Sequence, residues 1–151
     1  MKGWFITATD TNVGKTFVAS ALVRLLTERG VKTGAYKPAA SGAISTEGEG
    51  LLWEDVEVLH GACGGRWTRE RICPQRFIKP LAPPFAAEAE GKRLDEELLV
   101  SGAVWWKSEV QHLIVEGAGG WLSPISGRWS NADLAQELNF PVLIVARLGL
   151  G

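Results

Sequence analysis

The stretch ITATDTNVGKT, residues 6–16, constrains this chain more than any other. It continues the short apolar run WFITA (4–8) and leads into Val18, Ala21, Leu22, Leu25 and Leu26, which recur at helical spacing. A buried strand, a loop ending in Gly-Lys-Thr and a helix together form the setting of a phosphate-binding loop. Such a loop aims backbone N–H groups and a helix N-terminus at an anion, and adds a lysine and a metal-binding hydroxyl. Gly14, Lys15 and Thr16 supply these groups, and Asn12, Val13 and Phe17 complete the expected nucleotide-binding set. The common pattern G-x-x-x-x-G-K-[ST] would place glycine at position 9, where this chain has Thr9. Thr9, Asp10, Thr11 and Asn12 instead give the loop polar side chains able to reach something beside the phosphates, Thr11 foremost.

Downstream, strand-like and helix-like segments alternate. KTGAYKP (32–38) reads as a second strand ended by Pro38, after a helix stopped by Gly30. GLLWEDVEVLHG (50–61) reads as a helix with Leu52, Val56 and Leu59 on one face, and RICPQRF (71–77) as a strand that Pro74 moves to an edge. A short helix follows the prolines near 80–84, and LDEELLVSGAVWWKS (94–108) predicts a longer one weakened by Gly102. HLIVEGAGG (112–120) is a buried strand and a glycine turn, Ser130 with Asp133 starts a capped helix, and PVLIV (141–145) is a further strand. PVLIV lacks alternation and so reads as a strand suited to burial on both faces. Only the glycine turn at 148–151 follows it here, so it is expected to lack its covering helix and to form an exposed apolar edge. The order predicts an α/β fold in one domain, residues 1–151: a mostly parallel, Rossmann-like P-loop sheet with helices on both faces.

Composition narrows the class of partner. A net charge of −1 without a Lys/Arg block argues against nucleic acid or a membrane surface. No apolar run approaches the ~20 residues that span a bilayer. Two cysteines give no disulfide framework, so a reducing, cytoplasmic setting is expected. His60, Cys63, Cys73 and His112 lack a second close pair of metal ligands, and no G-x-S-x-G supports a serine nucleophile. The seven tryptophans suggest no function.

The remaining candidates fall at strand ends, where ligands of open α/β sheets bind. Lys37 ends the second strand and Ser41 follows in its loop. Glu116 ends LIVE, and a carboxylate there is costly to bury without a cation or a metal-bound water. Mg²⁺ beside P-loop phosphates is held by the loop threonine and one or two carboxylates, which selects Thr16, Glu116 and Asp55. Taken singly, Lys37 could be a solvated charge, Glu116 a structural ion pair, and Asp55, between Glu54 and Glu57, part of a solvated helix face. Gly117, Ala118, Gly119 and Gly120 place nearly bare backbone beside that point, suited to close approach by phosphate or substrate.

Three segments together resemble dethiobiotin synthetase, the ATP-dependent enzyme late in biotin synthesis. The family's G-T-D-T-x-V-G-K-T, Y-K-P-x-x-S-G and V-E-G-A-G-G appear here as ATDTNVGKT, YKPAASG and VEGAGG, in order. The loop is thus one residue longer than the common P-loop, with five residues between Ala8 and Gly14. Ala8 replaces the family's first glycine, which requires a negative φ there, and Asn12 stands where glutamate is frequent.

The resemblance implies closure of a ureido ring: 7,8-diaminononanoate takes up CO2 as a carbamate, ATP phosphorylates it, and the second amine displaces phosphate. It implies catalytic roles for Lys37, Lys15 and Thr11, and nucleotide contacts from Asn12 to Phe17 and from Asp55 and Glu116 to Gly119. It also implies Mg²⁺ on Thr16, Asp55 and Glu116, and substrate contacts from Thr11, Lys37, Ser41, Gly119 and Gly120. A homodimer is expected. Family members continue with further strands, helices and adenine contacts, so this chain is expected to be incomplete at its C-terminus and nearly inactive alone. Two other readings stay open: a P-loop ATPase switch of the partitioning or cell-division type, and a phosphate-binding fragment without activity. The former type carries an early loop lysine that is missing between Thr9 and Val13.

Overall fold

The computed structural model describes residues 1–46, 48 and 50–149. The elements in chain order are β1 (Lys2–Ala8), α1 (Lys15–Glu28), β2 (Thr33–Tyr36), β3 (Ala39–Ala40), β4 (Ile44–Thr46), β5 (Gly50–Leu52), α2 (Glu54–Ala62) and α3 (Arg69–Ile72). They continue with β6 (Gln75–Arg76), α4 (Pro83–Ala89), α5 (Glu96–Trp105), β7 (His112–Glu116), α6 (Asn131–Leu138) and β8 (Val142–Val145). Four strands form the main sheet in the order β2-β7-β1-β8, every pairing parallel. The α/β expectation, a parallel sheet with helices on both faces, is therefore met. The end of the expected glycine turn at 148–151 lies outside the described residues.

Alternation along each buried strand divides the core in two. Phe5, Tyr36, Leu113 and Val115 point to one face, against Leu99 and Ala103 of α5 and Leu134 and Ala135 of α6. Ile6, Ala35 and Ile114 point to the other, against Ala19 and Val23 of α1 and Val56 and Leu59 of α2. Trp67, Trp105 and Trp106 meet edge to face, with centroids 5.0–6.0 Å apart, which assigns three of the seven tryptophans to packing.

Three local expectations are corrected. The face α1 buries is centred on Ala19 and Val23, with Leu22 and Leu26 beside them, while Ala21 and Leu25 are exposed. Residues 50–52 form β5, antiparallel to β4, so the helix begins only at Glu54. The strand expected at 71–77 shrinks to β6, because the Thr68 hydroxyl accepts from the Arg71 N–H and starts α3 instead. Two other expectations are met. β8 is an exposed apolar edge at the sheet's end, with Val142 38% and Ile144 56% exposed, and Ser130 and Asp133 make the reciprocal capping box at the start of α6.

Candidate active site at the carboxyl end of the sheet

The ends of β1, β2 and β7 lie side by side because β7 sits between the other two. Their three following loops therefore open onto one cavity of about 430 Å³. From the first loop come Thr11, Asn12, Gly14, Lys15 and Thr16, and from the second Lys37, Ala40 and Ser41. Glu116, Ala118 and Gly119 come from the third, and Asp55 enters from α2. Val13, Phe17, Gly117 and Gly120 do not line it. Phe17 is 76% exposed beside a neighbouring groove, and Gly117 is packed between Phe5 and Asn131.

The P-loop reaches this position through two left-handed residues, Asn12 at φ 55° and Gly14 at φ 102°. Asparagine tolerates that conformation better than glutamate would, which accounts physically for the residue at position 12. Ala8, still in β1, does not have positive φ, so the missing first glycine causes no strain. The Lys15 ammonium lies 3.4 Å from the Asp10 carbonyl. Burial, and then the nearby Lys37 charge, lower its pKa from the ordinary lysine value.

Behind the loop is a tight polar cluster. The Lys37 ammonium is 2.7 Å from Glu116 Oε1 and 2.8 Å from Asp55 Oδ2. Lys37 is 3% exposed and Glu116 1%, which removes the solvated-lysine alternative. Burial would depress the Lys37 pKa, but Glu116 and Asp55 outweigh it and hold the ammonium above its ordinary range. Burial likewise pushes Asp55 up, and the Lys37 charge, with the Thr16 hydroxyl, reverses this and keeps it low.

Thr16 Oγ1 lies 3.0 Å from Asp55 Oδ1 and 2.8 Å from Glu116 Oε1. One hydroxyl proton cannot serve both carboxylates at once. Glu116 Oε2 is buried with no hydrogen-bond partner. Surplus acceptors of hard oxygen type suit a small divalent cation. No group of three or more His, Cys, Asp or Glu gathers among the described residues, so Mg²⁺ here would depend on Thr16, Asp55, Glu116 and oxygens from phosphate or water. The residues fit the ion.

Sequence reasoning missed Asn131, whose side chain is fully buried. Its amide donates to the Ala118 and Gly120 carbonyls at 2.7 and 2.8 Å, and its oxygen accepts from the Ala118 N–H at 3.2 Å. It thereby fixes the glycine turn. The one signal available was its place beside the capping Ser130. Arg147 was missed too; its guanidinium donates to the Asn12 carbonyl at 3.2 Å.

A family model described as an AAA domain matches residues 2–151. The chain belongs to the AAA domain family. It is also similar along its whole length to curated proteins named ATP-dependent dethiobiotin synthetase BioD, which bears out the resemblance read from three motifs. The protein of that name from Anaeromyxobacter dehalogenans is 46% identical over 151 residues, covering 100% of this chain and 66% of the relative. That from Rhodopirellula baltica is 39% identical, covering 97% and 62%, and that from Yersinia pestis bv. Antiqua 36%, covering 99% and 62%. The chain thus spans just under two thirds of the length of these relatives. No helix among the described residues is long and apolar enough to cross a membrane.

Proposed function

We propose that this chain carries the nucleotide- and metal-binding part of an ATP-dependent dethiobiotin synthetase. The reaction would carboxylate 7,8-diaminononanoate with CO2 to a carbamate, phosphorylate it to a carbamic-phosphoric anhydride, and close the ring by attack of the second amine. The observation that carries the reading is the meeting of Lys15, Thr16, Lys37, Asp55 and Glu116 in one cavity at the sheet's carboxyl edge. Similarity to proteins of that name supports it.

In this reading the backbone from Asn12 to Thr16 cradles the phosphates, and Lys15 neutralises them. Lys37 stabilises the charge that develops as an anionic carbamate meets an anionic phosphoryl group. Thr11 and Ser41, which both line the cavity, position the carbamate. Val13 and Phe17 shape the loop and the groove beside it. Gly117 and Gly120 set the turn that lets Ala118 and Gly119 lie close to substrate. Mg²⁺ on Thr16, Asp55 and Glu116 would supply charge neutralisation between the phosphoryl oxygens. We further propose a homodimer in the cytoplasm, a setting that suits the free buried thiols of Cys63 and Cys73.

Single-turnover incorporation of labelled bicarbonate, in the presence of ATP, the diamine and Mg²⁺, tests the reading. The expected product requires all of them. Lys37→Ala should slow it ~100-fold, as loss of one preorganised charge does, while ATP retention in equilibrium dialysis stays intact. Lys15→Ala should damage both. Label uptake independent of ATP or diamine, or wild-type rates in Lys37→Ala, would overturn it.

A further inference from the structure

We propose that Lys37 acts as a stand-in for the divalent cation, closing the Asp55–Glu116 position until nucleotide arrives. This rests on the reading that Thr16, Asp55 and Glu116 hold the metal. The Lys37 ammonium lies within 2.8 Å of both carboxylates, on Glu116 Oε1 and Asp55 Oδ2, so a cation bridging the two carboxylates meets its charge at close range even where it takes the unpartnered Glu116 Oε2. The cluster is also balanced: Lys15 and Lys37 line the cavity with Asp55 and Glu116, while Asp10 is exposed and does not line it. A bare divalent ion would add two positive charges to a partly buried, already neutral group, which Coulomb repulsion from both lysines opposes. A triphosphate arriving with the ion reverses that sign. It supplies the anion that draws Lys37 off Glu116, and the freed carboxylate then takes the metal. The Lys37 backbone is anchored, its N–H donating to the Ile72 carbonyl at 2.8 Å, so only the flexible side chain needs to swing. The proposed order is therefore nucleotide and metal together, never metal alone.

Mn²⁺ titration followed by electron paramagnetic resonance, on the nucleotide-free 151-residue chain, tests this. Wild type and Lys37→Arg should bind Mn²⁺ weakly, and Lys37→Met about tenfold or more tightly, since removing the competing charge exposes a hard-oxygen pair. Adding Glu116→Gln to Lys37→Met should abolish the gain. A folded Lys37→Met that binds Mn²⁺ no better than wild type overturns the proposal.

Because Lys37→Met leaves buried carboxylates unpaired, a second measurement uses wild type alone. The Lys37 ¹⁵Nζ resonance should stay in place on adding Mg²⁺ and move only when Mg²⁺ and ATP are both present. Movement with Mg²⁺ alone, or none with both, also overturns the proposal. Failure of the underlying reading looks different: ATP would then not raise Mn²⁺ retention by wild type above that of ATP in buffer.

Discussion

A lysine buried to 3% exposure between two carboxylates is bound into stability as well as chemistry. Deleting it leaves Glu116 an uncompensated buried charge, so Lys37→Ala should lose about 3–5 kcal/mol in urea denaturation, and Lys37→Ala/Glu116→Gln should recover part of it. Loss in the single variant without recovery in the double would mean the stem, not the charge, matters. Asp55 gives a pH signature. Its pKa is depressed in the folded state, so its contribution is present above the unfolded carboxylate range, about pH 4, and disappears as pH falls through the folded value. Asp55→Asn should therefore flatten the acid limb of the melting-temperature profile and leave the limb above neutrality unchanged.

Helix α5 shows why an unfavourable residue can be required. Gly102 weakens the helix locally, yet a Cβ there would collide with the Tyr36 hydroxyl, which donates to the Leu98 carbonyl at 2.8 Å and lies 3.1 Å from that of Leu99. Gly102→Ala should destabilise the chain by ~1–3 kcal/mol by overpacking, despite alanine's better helix propensity. A stabilised variant in thermal melts would refute this account. Similar tertiary decisions mark the limit of what was legible. The parallel sheet, α1 and the capping box follow from motifs a few residues long. Whether GLL or RICPQRF is strand or helix is decided by neighbours just outside each segment, namely β4 and the Thr68 cap. At the site, the residues inside the three motifs, and Asp55, could be read in advance. Asn131 and Arg147 could not, because only the folded chain brings them against the loops that line the cavity, Asn131 on the glycine turn and Arg147 on the Asn12 carbonyl.

Over the whole molecule, β8 leaves Val142 and Ile144 outward on the last strand of the sheet. A partly exposed apolar edge templates further pairing. The 151-residue chain should therefore associate as concentration rises, and Ile144→Lys should suppress this in light scattering while leaving the melt unchanged. Equal association by the variant would place the contact elsewhere. The strand order also has a temporal consequence. Of the described strands, β1 precedes its sheet partners β7 and β8 by about a hundred residues or more of chain, since its own residues 2–8 pair with residues 112–116 and 142–145. As the chain leaves the ribosome, the P-loop strand has no sheet neighbour until most of the described residues have emerged. Local helices can form meanwhile, but the phosphate cradle has no wall to hold its shape, so nucleotide affinity should arise abruptly, only once β7 and β8 have emerged and the sheet closes.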